Sequence, residues 1–448
     1  MTDAPALSIV IPSHNRSARL LRTLDAIGRQ QDVPLQTVEV VVVADGCVDD
    51  TVAAVRACDA PFALRTVELP GLGPSPARNR GAEAARAPLL LFLDDDVEPV
   101  PGWLAAHVQA HERMAGGFVL GAYPPFPEGQ GEFRVHLRRW WRTHFSQLEE
   151  PGHRFTFRDL LTGNLSASRD LWHSLGGLDE SLPRAHEDWE LGVRIIAGNV
   201  PLSYAPDAFA WHHEYETADL QGMLRRATEE GRSDVRMGAK HPAIKEQLPI
   251  WRARRRGGWK YRLARRMFRS PDTEPLRRRA AGLAAGFGGW SSGPLFVRAF
   301  GFAQFVHYMH GAIEELRTLE QWKAFATRAP RTPRNSLLID LAEGIEQAEQ
   351  RLDHVRPEEA RLVLRGSQVG LLPFEAGAEP WAGRHLRPRL TGRVAQPFLK
   401  ALDENGLLQG TQMQERLQVP ASARRHVGET GYHAAAAEAV QQWRKAGL

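Results

Sequence analysis

The sequence predicts a doubly wound, mostly parallel α/β sheet in its first half and a largely α-helical C-terminal region after it. VEVVVVAD (38–45) and PLLLFLDDD (88–96) are near-continuous apolar runs that end in acid, as strands buried on both faces of a parallel sheet do. Helix-spaced segments lie between them. Past about residue 220 the strand–helix alternation stops.

Taken in order, LSIVIP (7–12) is a short apolar run closed by Pro12. Residues 17–30 follow with Leu20, Leu21, Leu24 and Ile27 at helical spacing, and Ser17 is placed to cap them. After the strand at 38–45 come a helix at about 49–58, a strand at 62–69, a helix at 76–87 and the strand at 88–96. In such sheets ligands bind at the carboxyl ends of the strands, so Asp45 and Asp94–Asp96 mark where a site should be. Residues 118–165 are irregular, and EDWELGVRIIAGN (187–199) is a helix with an acidic first turn. Residues 250–330 read as helical. Residues 331–448 show helical patterns at 336–352 and 433–445 and no strand-like run. The expected division is an α/β domain at 1–225, a basic and aromatic helical extension at 226–330, and a helical region of unassigned role at 331–448.

A net charge of +4 over 448 residues makes no global demand for a nucleic-acid partner. Cys47 and Cys58 are too few for a disulfide framework and fit a reducing compartment. MTDAPALSIV does not read as a signal peptide, so a cytoplasmic setting is expected. Residues 280–297 carry no charge, but their Gly, Ser and Pro content argues against a membrane span.

The sharpest chemical feature is FLDDDVEP (92–99). Three acids directly after a buried strand need neutralising, and a divalent cation, Mg²⁺ or Mn²⁺, suits hard oxygen ligands. In extended backbone Asp94 and Asp96 point the same way; the alternative is a solvated acidic turn. Asp45, followed by Gly46, can accept a hydrogen bond from an imide N–H such as uracil's; the alternative is a plain turn, with Asp49 or Asp50 capping the next helix. Arg78 and Arg80 open a helix between the two acidic strand ends and can bind phosphate oxygens, or lie on its surface. Glu187 and Asp188 open another helix, where a carboxylate stays ionised and can take a proton, or serves helix electrostatics alone. His212 and His213 follow an apolar stretch and can touch a metal or a diphosphate, or simply end a strand.

Together SIVIPSHNR (8–16), VEVVVVADGCVDDT (38–51), GPSPARNRG (73–81), FLDDDVEP (92–99), TGNLSASRDLWHSLGGLDE (162–180) and HEDWELGVRI (186–195) resemble the family-2 glycosyltransferases of the GT-A fold, over about residues 7–215. The resemblance implies that Pro12, His14, Arg16 and Asp45 line a nucleotide pocket, with Asp94 and Asp95 also on the nucleotide-sugar donor. Ala44 and Cys47 depart from the family's pattern around the base-reading acid. The D-x-D motif falls on Asp94 and Asp96 as metal ligands, with His212 or His213 beside them. Gly163 and Asn164 fall on the acceptor side. The Glu-Asp pair falls on Glu187 and Asp188, with Asp188 as catalytic base. The implied reaction is a metal-dependent, inverting single displacement from a nucleotide sugar, uridine-linked by preference, to a glycan or lipid-linked acceptor, with Arg78 stabilising the departing diphosphate.

Two rivals compete with this reading. A nucleotidyltransferase shares the fold type, but IPSHNRSARL lacks the Gly-rich loop expected after its first strand. A catalytically silent nucleotide or polyanion binder would not need Asp94, Asp96 and Asp188. Outside the resemblance, RARRRGGWKYRLARRMFR (252–269) contains no acid, and Arg277–Arg279 follow. This stretch, 252–279, suits an anionic membrane at the inner face, a polyanion, or a solvated face pairing with Glu314, Glu315 and Glu320.

Overall fold

A computed structural model describes residues 4–31, 33–114, 116–128, 131–182, 184–214, 218–254, 258–270, 272–288, 293–327, 332–407 and 429–445. The apolar runs form strands as expected. They are β1 (Leu7–Ser13), β2 (Val38–Asp45), β3 (Ala63–Leu69) and β4 (Leu89–Leu93), with β2 buried at every position. Glu39, the charge inside β2, is fully buried and held by Arg65, Arg86 and the Ser8 hydroxyl. The helices between them are α1 (Ser17–Gly28), α2 (Thr51–Ala57) and α3 (Pro74–Ala84). Arg16 occupies the cap position of α1 and Ser17 is its first helical residue, so Ser17 is not the cap. Asp49 accepts the backbone N–H of Thr51 at the start of α2.

The chain continues through β5 (Val97–Pro99), α4 (Trp103–Arg113), β6 (Phe118–Gly121), α5 (Glu132–Leu148), β7 (Asn164–Ser168), α6 (Arg169–Ser174), α7 (Glu187–Ala197), β8 (Leu202–Ala205) and β9 (Ala210–His212). Among the described residues seven strands form one sheet in the order β3-β2-β1-β4-β7-β6-β8. All neighbours are parallel except those of β7, which runs antiparallel to β4 and β6. The order runs outward from β1 to β3 and then resumes on the other side of β1 at β4. That reversal opens a crevice at the carboxyl ends of β1 and β4, where open α/β sheets bind ligands. A separate antiparallel pair, β5–β9, sets Val97 opposite His212.

Helices follow: α8 (Leu220–Lys240), α9 (Pro249–Arg252), α10 (Trp259–Arg269), α11 (Glu274–Gly288), α12 (Gly293–Leu316) and α13 (Leu319–Phe325). The chain divides into two compact units, 1–149 with 156–329, and 150–155 with 330–448. The division expected at 225/226 falls within α8, and that expected at 330/331 falls beside the boundary between the units.

The second unit is largely helical, but it also holds three strands that the sequence reading left out: β10 (Ser336–Asp340), β11 (Glu359–Leu364) and β12 (Ser367–Leu372). Leu338 and Leu371 are exposed, which hides the alternation a strand of this kind should show. The expected helix at 336–352 is therefore β10 followed by α14 (Ile345–Val355). Helices α15 (Leu386–Thr391), α16 (Ala395–Glu404) and α17 (Glu429–Lys445) complete this unit, whose core gathers Ile339, Leu362, Leu364, Phe398 and Leu399. Arg154, from the earlier segment of the unit, lies over the Trp381 ring.

In the first unit, α8 and α12 cross on two glycines. A Cβ at Gly311 would fall 1.9 Å from the Thr228 carbonyl oxygen, and one at Gly231 would fall 2.0 Å from that of Tyr308. Gly311→Ala should therefore force the helices apart and cost roughly 1–3 kcal/mol or more. Gly282→Ala in α11, where a Cβ meets nothing, should be neutral or stabilise by up to about 1 kcal/mol. Chemical denaturation reads both, and equal effects would contradict the close crossing.

Candidate active site

The acids at the end of β4 do not continue as extended strand. The Val97 N–H donates to the Asp94 carbonyl (3.2 Å), closing a turn, and the Asp94 N–H donates to the Gly163 carbonyl (3.2 Å). The turn fans the carboxylates out, so Asp94 and Asp96 do not point the same way as expected. Asp94 accepts from Arg78. Asp95 accepts from the Ser13 hydroxyl and from Arg16, each at 2.7 Å. Asp96 is buried against His212 Nε2 (3.4 Å) and Arg16 (3.3 Å). Burial, with Asp96 adding to it against Arg16, pushes Asp95 up to about 6. For Asp96 the pull of His212 and Arg16 overcomes burial and holds the carboxyl far below the usual range. Burial also opposes charge on His212, but Asp96 first, then Glu214 and Asp94, raise it to about 9.

Pairing of β5 with β9 is what delivers His212 to the acid turn. Its Nδ1 has no hydrogen-bond partner among the described residues and lies 4.0 Å from Glu214. His213 faces elsewhere: its Nε2 meets Glu98 (2.8 Å) and its ring stacks on Phe126. Of the two histidines, His212 lines the cavity and His213 does not.

Helix α3 packs on the sheet at Gly81, where a Cβ would fall 2.3 Å from Val10. This close seat drives Arg78 over the end of β4. Arg78 is buried; one guanidinium nitrogen binds Asp94, and Nε and Nη1 have no partner among the described residues. Arg80, one turn-step on, pairs with Glu83 and Glu180 at the surface.

Asp45 lines the same cavity, but its carboxylate accepts the backbone N–H groups of Gly71 (2.9 Å), Leu72 (2.6 Å) and Gly73 (2.6 Å). It builds the loop that leads into α3. His14 Nδ1 lies 2.6 Å from the Asp45 carbonyl oxygen, and Pro12, His14 and Arg16 line the cavity.

Helix α7 starts from His186, which sits in the left-handed region (φ 61°) and stacks on Trp189. His186 Nδ1 meets Asp234 of α8 at 2.8 Å, and the Tyr308 hydroxyl of α12 donates to the other Asp234 oxygen. This buried trio fixes the start of α7, so Glu187 and Asp188 both face the cavity. Burial, then the Glu187 charge, raises Asp188 to about 7 against His186 and Arg226.

Gly163 lines the cavity, and a Cβ there would fall 2.6 Å from the Asp94 carboxylate. Asn164 does not line it. One residue further along the strand it points to the opposite side, into the core. There it donates to the Ala122 and Ala208 carbonyls and accepts from Trp103, with His107 at 2.9 Å from the same oxygen. The acceptor-side role expected for Asn164 is corrected to a core role.

The cavity encloses about 360 Å³, within the range of small-ligand sites. Its wall includes Tyr123, Trp141, Glu214 and Arg226, which the sequence reading did not single out. Tyr123 and Trp141 come from the irregular 118–165 stretch, and their rings pack on each other and on His212. Arg226 lies just past the domain edge drawn at 225. The neighbouring pattern HHE (212–214) was the available signal for Glu214.

Residues 8–171 match the sequence family described as glycosyl transferase family 2. Two relatives from Streptomyces hygroscopicus, of subspecies limoneus and jinggangensis, both called validoxylamine A glucosyltransferase, are 31% identical over 306 residues, 62% of this chain. The chain spans 63% and 68% of their respective lengths. A mannosyltransferase from Pyrobaculum calidifontis, solved with GDP-Man and Mn²⁺, aligns over 70% of this chain and 88% of its own at 20% identity and a TM-score of 0.48. The chain belongs to glycosyl transferase family 2.

Asn164→Ala should cost on the order of 3 kcal/mol, because it strands buried partners on Trp103 and His107. A urea unfolding midpoint reads this. An unchanged midpoint with altered acceptor use would restore the acceptor-side role.

Proposed function

We propose that this protein transfers a hexose from a nucleoside-diphosphate sugar, with uridine as the nucleoside, to a hydroxyl of a glycan or lipid-linked acceptor, by single displacement with inversion. The observation that carries the reading is Arg78: buried at the wall of the cavity that Glu187 and Asp188 also line, it holds two donors without a partner among the described residues. A guanidinium with unused donors suits diphosphate oxygens. The names of the two Streptomyces relatives support a hexose as the group transferred.

A divalent cation fits the donor set chemically. Asp94, Asp96 and His212, whose Nε2 already faces Asp96 at 3.4 Å, would hold it. Among the described residues no three such groups already converge as a ligand set, because Arg16, Arg78 and His212 hold the acids apart. Bound there, Mg²⁺ or Mn²⁺ would neutralise charge on the leaving diphosphate.

The other steps fall to the chain. Pro12, His14 and the loop shaped by Asp45 would frame the nucleoside, and one lone-pair site of the Asp45 carboxylate remains for an imide N–H. Arg78 would bind the diphosphate oxygens as the bond to the anomeric carbon breaks. Asp188 would take the proton of the acceptor hydroxyl as its oxygen bonds to that carbon from the opposite face. Glu187 raises the basicity of Asp188 by its charge. Tyr123 and Trp141 would give the sugars an apolar wall. The cytoplasm, where nucleotide sugars are held, is the proposed setting.

The sign of the pH dependence follows from Asp188. Raised to about 7, it is protonated and idle as a base below that pH, so turnover should climb through pH 7 and level off above it. Asp188→Asn should lower kcat by roughly 10²–10⁴-fold and leave the KM for the donor within a few-fold. A transfer assay with product detection checks both. Retained turnover, or an unchanged pH profile in the variant, would remove Asp188 as the base.

A further inference from the structure

Helix α10 and the turn from α12 into α13 line a second cavity, of about 540 Å³, that shares no residue with the active-site cavity. Its floor is aromatic and fixed. Phe268 of α10 is buried and stacks on Trp322 of α13, with 5.1 Å between ring centroids, and Tyr261 meets the same indole at 5.9 Å. Trp322 is itself buried, and its indole N–H donates to the Ile250 carbonyl (3.3 Å). Packed rings of this kind hold α10 and α13 in one relative position.

The rim is cationic. Arg265 and Arg269 come from α10, one turn apart, Arg317 from the turn, and Lys323 from α13. Arg265, Arg269 and Arg317 have no carboxylate partner among the described residues. The acid in this wall is Glu320, 3.8 Å from Lys323; both side chains are more than half exposed, so the pair is weak. Arg262 and Arg266, exposed on the same helix, add to the positive field. Glu314 and Glu315, expected to neutralise this stretch, pair instead with Arg232 and Arg236 of α8. Arg255 and Arg256 of the basic run lie outside the described residues.

Arg317 is the least expected member of the rim. It stands just past the end of α12, where its N–H donates to the Ile313 carbonyl (2.7 Å), and its φ is 56°. A left-handed position after a helix favours glycine. Thr318 then caps α13 in a reciprocal box with Gln321. The backbone gains nothing from an arginine here, yet that arginine brings a guanidinium to the cavity that Arg265 and Arg269 line.

We infer that this cavity binds a phosphate or diphosphate group, at a site separate from the one proposed for the sugar donor. Three guanidinium forks with no carboxylate to serve match phosphate oxygens in geometry and in charge. The volume leaves room for a second phosphate, or for an organic part against Tyr261. A soluble phosphate ester and a phosphomonoester lipid headgroup present the same chemistry to these residues.

The test is isothermal titration calorimetry of the full chain with pyrophosphate, without divalent metal. Wild type should bind, and Glu320→Gln should bind about two- to fivefold more tightly. Arg265→Gln combined with Arg269→Gln should weaken binding roughly tenfold or more. Arg317→Gly should weaken it as well while keeping the wild-type Tm, since glycine suits the backbone there. Flotation with phosphatidylcholine vesicles, with and without phosphatidic acid, separates the two sources. Uptake by the phosphatidic acid vesicles alone, lost in Arg317→Gly, assigns a lipid headgroup; pyrophosphate binding without uptake assigns a soluble ligand. Absence of pyrophosphate binding by wild type would overturn the inference. So would binding that the changes at Arg265, Arg269 and Arg317 leave intact, which would place the anion elsewhere on the chain.

Discussion

Three carboxylates in consecutive positions, lodged in a tight turn at the end of a buried strand, are unfavourable unless each finds a positive partner. Much of the catalytic unit is arranged around meeting that demand. The partners come from separate elements: Arg16 from the loop after β1, Arg78 from α3 and His212 from β9. Each must be carried to the turn by its own packing. Gly81 lets α3 sit low enough for Arg78 to reach, and the β5–β9 pair sets His212 opposite Val97.

Around that cluster the same residue types do different work, and the number of protein donors already bound separates them. Asp45 is committed to three backbone N–H groups and shapes a loop. Asn164 is committed on both ends of its amide to the core. Asp188 faces the cavity from a helix start held by the His186–Asp234–Tyr308 trio. Its raised pKa reflects a lack of compensation, which suits a base and would be a fault in a structural acid.

The sheet was legible because buried parallel strands write continuous apolar runs, and the acids closing them gave the position of the site. Glu187, Asp188, Arg78 and Asp94 were legible from strand ends and helix starts. What was not legible depended on tertiary geometry. The turn at 94–97 gives Asp94 and Asp96 different partners, and Asn164, the first residue of β7, faces the core while Gly163 just before it lines the cavity. Tyr123 and Trp141 come from a stretch with no clean period, and α8 carries Arg226 in from beyond the catalytic pattern. In the second unit, exposed Leu338 and Leu371 blurred the strand alternation.

The central claim is that the acid turn and Arg78 form one site for a metal-bound nucleoside diphosphate. Thermal melting with nucleoside diphosphates, each with and without Mn²⁺ or Mg²⁺, tests it most directly, since a ligand that binds only the folded state raises Tm by mass action. The account predicts that uridine diphosphate raises Tm, that the rise requires the metal, and that Asp94→Ala abolishes it. No shift with any nucleotide under any metal condition, or the same shift in Asp94→Ala, would contradict it.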